Sequence, residues 1–142
     1  MPDAKAPTHP GARLGLPASG PNSVARFGRR LAALAIDVAT AALIGYAFFH
    51  STDPVTGVLV ADPWATNIVF AAVQILFIPT IGGSPGHRIM GLRLARLGGG
   101  WVGVWRPVVR TALLFLIIPV LVWDADHRGL HDKAAGTVLL RV

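Results

Sequence analysis

The 142-residue chain contains no cysteine and no glutamate. Without cysteine there is no disulfide, no thiolate metal ligand and no thiol nucleophile. Without glutamate, all carboxylate chemistry falls on seven aspartates, set against thirteen lysines and arginines. Charged residues make up only 14% of the chain, where a soluble domain carries about a quarter. That deficit argues against a surface turned wholly to water.

What the chain has is apolar residues, 53% of the total, with a mean hydropathy of +0.57. They gather in three blocks. The first, 31–49, would cover about 28 Å as a helix, close to the hydrocarbon thickness of a bilayer. Arg26, Arg29 and Arg30 stand at its entrance, and His50 to Pro54 end it. The second, 64–81, opens on Trp64, a residue suited to the interface, and carries Pro79 near its far end. Between them, 50–63 holds Asp53 and Asp62 but no Lys or Arg, so it should lie outside the cytoplasm. The stretch 82–107 has Arg88, Arg93, Arg96 and Arg106 with no acid, which reads as cytoplasmic. The N-terminus falls on that same side. The net charge of +6 would also suit nucleic acid, but the arginines flank apolar blocks, as topology signals do; no nucleic acid partner is expected. Residues 1–23, rich in Pro, Gly, Ala and Ser, read as a disordered cytoplasmic tail.

The third block, 108–123, is shorter and is interrupted by Pro119. Three full spans would put the termini on opposite sides. Yet Arg128, Lys133 and Arg141 suit the cytoplasm as well as the N-terminal arginines do. The alternating run 91–95 could also pair with the strand-like 137–142 if both lay on one side. A third block that enters and returns is tolerated where protein buries its backbone. Both topologies stand at this point. The fold class is therefore an all-α membrane protein with two to three transmembrane helices (about 31–49, 64–81 and 108–123) and a short cytoplasmic β-hairpin pairing 91–95 with 137–142.

Asp37 is the most informative residue. A carboxylate near a helix centre in lipid costs about 2.5–3.5 kcal/mol on insertion scales and needs a partner. Arg30 lies two turns before it on the same face. Arg side chains there lean toward the headgroups, so a water or a second segment should mediate between the two. Ala33, Ala41 and Gly45 continue that face at helical steps, and small residues let another helix approach closely. In the second span Asn67 and Gln74 share a face. Gln74 and Asp37 lie at matching depth from their cytoplasmic ends, so Gln74 is the expected hydrogen-bond partner of Asp37.

Other patterns are weaker. His127 and His131 have metal-ligand spacing on a helix, but Gly129 intervenes and nothing completes a site, so a polar cap is the better reading. The loop from Gly82 to Arg88 is glycine-rich but lacks the Gly-Lys-Ser/Thr ending of a phosphate loop, and Pro85 removes a donor. No metal or cofactor is expected. No complete catalytic constellation is present, so the chain does not read as an enzyme.

Taken jointly, several motifs resemble the RDD family. Arg29-Arg30 followed by Asp37 is similar to the family's opening. GGSPGHRIMGLR at 82–93 is similar to its central stretch, with Gly86, Arg88, Gly91 and Arg93 as the motif loop and His87 where a Lys or Arg is usual. Arg106 and Arg110 match the basic residues before the last apolar block, and RGLHDKAAGT at 128–137 resembles the closing motif. The resemblance covers 24–142 and implies a small bacterial membrane domain. It makes Arg30, Asp37 and Asp132 the signature residues. It implies residence in the inner membrane, multi-pass, among lipid, with transport of an unidentified ion or small ligand suggested. Two or three helices cannot enclose a pathway, so a homo-oligomer or a partner membrane protein is expected. The alternative is a structural or accessory protein that assembles with partner helices.

Overall fold

The computed structural model describes residues 8–116 and 130–142. Helix α1 runs Phe27–Phe48 and helix α2 Pro63–Ile81. With 22 and 19 residues, both are long and apolar enough to cross a membrane. A core helix of a soluble protein would be mostly covered by its own chain. Here only 22% and 17% of the two apolar windows are buried, which leaves Leu43, Tyr46, Phe48, Trp64, Ile68 and Leu76 facing outward. Asp62 caps α2 by accepting from the Ala65 N–H at 2.7 Å, and Pro63 stands in the first turn, where it sacrifices no hydrogen bond. Gly82, left-handed at φ 78°, ends the helix after Pro79.

Between the spans, the segment read from sequence as a plain loop forms a hairpin. Strands β1 (His50–Thr52) and β2 (Leu59–Ala61) pair antiparallel, with Asp53 accepting from the N–H groups of Val55 and Thr56 in the turn. The fold is therefore not all-α. It holds this pair and a second, β3 (Leu92–Arg96) with β4 (Thr137–Arg141), in register Leu92↔Arg141 through Arg96↔Thr137. The second pair lies one residue from the positions expected for it. Val24 adds an isolated bridge to Leu140, so the start of α1 and the last strand sit together.

A short helix α3 (Pro85–Ile89) turns the chain from α2 into β3, α4 covers Trp105–Phe115, and α5 covers Leu130–Ala135. The described part of the third apolar block is α4. It begins three residues before 108 and includes the cations Arg106 and Arg110, with Arg110 buried. The remainder of that block lies outside the described residues. Two apolar side-chain groups hold together the end where α1 starts and α2 stops. Ala25, Ala33, Ile78, Leu92, Leu94, Val102 and Leu139 form one. Val24, Val138 and Leu140 form the other, with Leu14 and Leu16 packed on it. Residues 8–23, read from sequence as part of a disordered tail, thus lie against the β3–β4 pair. Ser23 is buried there, and the Asn22 N–H donates to Arg141 O at 2.8 Å.

Candidate functional site

The buried residues of α1 are Arg30, Ala33, Asp37, Ala41 and Gly45. These form the small-residue face expected from the spacing. At Gly45 the helices approach so closely that a Cβ would overlap the Thr66 hydroxyl. On α2 the buried face is Phe70, Gln74 and Ile78. Asn67 is exposed and lines an open groove with Thr66 and Phe70.

Where these faces meet α3, Asp37 is held by three donors. Gln74 Nε2 reaches Oδ2 at 2.9 Å, and Ser84 Oγ donates to the same oxygen at 2.5 Å. The Gly86 N–H reaches Oδ1 at 2.7 Å. The glycine is required by packing: a Cβ at position 86 would overlap the Ala33 carbonyl oxygen and come within 2.9 Å of Asp37 Cγ. Ser84 also caps α3 in a reciprocal box with His87, and its Oγ lies 2.5 Å from His87 Nδ1.

Arg30 does not reach Asp37. Its Nε donates to Ala25 O at 3.0 Å, and its Nη1 pairs with Asp132 Oδ2 at 2.9 Å. Asp132, on α5, is wholly buried and takes Arg110 Nε on its other oxygen at 2.8 Å. His131 Nε2 lies 3.5 Å from the same atom. Arg110 then closes the network, with Nη1 donating to Gln74 Oε1 at 3.4 Å and Nη2 lying 3.4 Å from His87 Nε2. The second segment expected to link Arg30 with Asp37 is therefore α4 together with α5. All three signature residues belong to one buried network.

An Arg30–Asp132 pair and a β3–β4 pair require the C-terminal strand to share an end with the start of α1.

Electrostatics follow from burial and the two guanidinium groups. For Asp132 burial pushes the carboxyl upward, but Arg110, His131 and Arg30 together hold it below the usual carboxylate range. For His87 burial acts first and the Arg110 guanidinium second, lowering the imidazole from 6.5 to about 3 against a weaker pull from Asp132. His87 is therefore neutral at physiological pH. Its folded pKa lies below its unfolded one, so its contribution to stability is complete above 6.5 and is lost as pH falls toward 3. Across that window the folding equilibrium should weaken by up to about tenfold per pH unit. Unfolding of the purified protein in detergent between pH 7 and pH 4 would measure this. A His87→Asn variant, which has no imidazole to protonate, should show a flatter profile there. An equal slope in both proteins would assign the acid sensitivity elsewhere.

Of the motif-loop residues, Gly86 is fixed by close packing, and Gly91 is left-handed at φ 64°. Arg93 donates from Nη2 to Asn22 Oδ1 at 2.7 Å. Arg88 is exposed. Sequence reasoning did not single out Arg110, Ser84 or His87 as members of the site. A signal was available for Arg110, which interrupts an apolar stretch with a group that needs a partner, but not for Ser84 or His87. A cavity of about 50 Å³ touches Arg30, Asp37, Gln74, His87, Arg110 and His131, with Phe27, Leu31, Leu34, Leu114 and Leu139 as apolar walls. Among the described residues no group of three His, Cys, Asp or Glu side chains could hold a metal ion.

A model of the RDD family matches residues 24–136, and so covers the whole network, from Arg30 to Asp132. No curated protein and no solved structure matches the chain.

Proposed function

Since the chain belongs to the RDD family and carries two helices fit to cross a bilayer, we propose that it is a multi-pass protein of the inner cell membrane, crossing with α1 and α2 and keeping its N-terminus cytoplasmic. The charge pattern supports this orientation. Arg26, Arg29, Arg88, Arg93 and Arg96 are exposed at one end of the spans, whereas Asp53 and Asp62 mark the other.

Within the membrane the protein acts as a structural or accessory component, assembling with copies of itself or with partner helices. The observation that carries this reading is saturation: Asp37 has three donors and Asp132 has two guanidinium partners, all from the chain itself. Carboxylates so engaged fix helix packing and leave little for a cargo. The reading is non-enzymatic. Ser84, His87 and Asp37 do meet, but the hydroxyl lies between the other two and is fully buried, so it is not placed as a nucleophile.

Transport of an ion or small ligand by an oligomer is the second reading, favoured by the cavity beside Asp37, His87 and Arg110. Asp37→Asn separates the two. Under the structural reading the amide cannot serve all three donors, stability falls by about 1–3 kcal/mol, and assembly in mild detergent is weakened. Intact assembly combined with loss of ion-dependent flux in proteoliposomes would instead establish transport.

A further inference from the structure

The buried network satisfies its carboxylates but not Arg110. Every oxygen of Asp37 and Asp132 already accepts from a donor of the chain. Arg110 brings five N–H groups. Its Nε is spent on Asp132 Oδ1 at 2.8 Å, and one Nη1 hydrogen goes to Gln74 Oε1 at 3.4 Å. Its Nη2 lies 3.4 Å from His87 Nε2. Even with that contact counted as a full bond, the second hydrogens of Nη1 and Nη2 have no acceptor among the described residues. The two Nη contacts that are made stand at the long end of hydrogen-bond distance. The side chain is nevertheless buried, where an unmet charged donor is costly.

Arg110, His87, Gln74 and Asp37 line one cavity of about 50 Å³. Leu34, on α1, and Leu114, on α4, are among its apolar walls. One water needs roughly 10–15 Å³ of such space, so the cavity has room for a guest of a few heavy atoms at most. The chemistry around it decides the sign of that guest. A cation would find each carboxylate oxygen already engaged and would face a guanidinium. An anion would find the two unspent hydrogens of Arg110, in apolar surroundings that strengthen the attraction. We propose that this cavity binds one small monovalent anion, of the size of a halide or formate, on the Nη1 and Nη2 hydrogens of Arg110. The site does not depend on transport, since an ion that only stabilises the network and one that is carried would both bind here.

The full-length protein in mild detergent can be held in sodium gluconate, whose anion is too bulky for the cavity, and chloride then substituted at constant ionic strength. Broadening of the chloride NMR signal and thermal unfolding would report occupancy. Chloride should bind saturably and raise the melting temperature, and formate should displace it. Arg110→Lys keeps a cation beside Asp132 but loses the planar fork, and should weaken chloride binding about tenfold. Leu34→Phe adds volume to the apolar wall without touching a charge, and should weaken it as much. Arg96→Gln, exposed at the end of β3, should leave it unchanged. Displacement by formate is read on the wild type alone, so the test survives a variant that fails to fold. Broadening that does not saturate, or that persists unchanged in either Arg110→Lys or Leu34→Phe, would overturn the site in favour of diffuse attraction to exposed arginines. Stabilisation that follows sodium at fixed chloride would overturn it in favour of a cation. No broadening at all would mean that the cavity holds only water.

Discussion

Asp132→Asn should destabilise the folded protein by about 3–5 kcal/mol, the cost of breaking a buried ion pair from one side. The side chain is fully buried and lies between Arg30 at 2.9 Å and Arg110 at 2.8 Å. An asparagine has nearly the same shape, so the loss is electrostatic rather than steric. It leaves two guanidinium groups that cannot deprotonate, in surroundings that are 8% and 5% exposed at those residues. Urea unfolding in detergent, or the yield of folded protein from membranes, would read the effect. Arg110→Gln should be milder than Asp132→Asn, because Asp132 keeps Arg30. A loss under about 1 kcal/mol for Asp132→Asn would mean that water reaches the network and screens it.

The second large effect is expected at Gly86. In Gly86→Ala the new methyl meets the Ala33 carbonyl oxygen, which is backbone of α1 and cannot rotate aside, and also Asp37 Cγ. Helix α3 must then retreat, which stretches the Gly86 N–H bond to Asp37 and draws Ser84 with it. Overpacking of about 1–3 kcal/mol and loss of a hydrogen bond to a buried carboxyl, about 1.5–3 kcal/mol, act together. Thermal unfolding should show a loss comparable with that of Asp132→Asn. The control is Gly28→Ala, on the same helix as Ala33, where a Cβ would meet nothing within 4 Å. That change should be neutral or slightly stabilising through helix propensity. Equal behaviour of the two alanines would contradict the close approach of α3 to α1.

The two long apolar helices and the Asp37–Gln74 contact were legible because a membrane-like composition patterns a sequence strongly. Long apolar runs, bracketing charges and helical spacing fix which residues share a face and at what depth. The β3–β4 pair was legible from alternation in its two segments. The hairpin at 50–61 was not, since strands of three residues leave too little period to detect. Nor was the pairing of Arg30 with Asp132, 102 positions apart. Spacing arguments operate within an element and say nothing about which element arrives from far along the chain. In the third apolar block, the described helix α4 turns Arg110 to the network, and the rest of the block lies outside the described residues.

That separation also sets an order of events during synthesis. On the proposed membrane reading, Arg30 is made early and enters the membrane with α1, long before Asp132 leaves the ribosome. Throughout that interval its guanidinium must rely on headgroups, water or the insertion machinery, since its counter-ion does not yet exist. The β3–β4 pair and the Val24–Leu140 bridge likewise close only when the final strand arrives. Assembly thus has high contact order for a small helical protein and should be gated by the arrival of α5 and β4. Chains cut short before α5 retain both buried arginines without their aspartate.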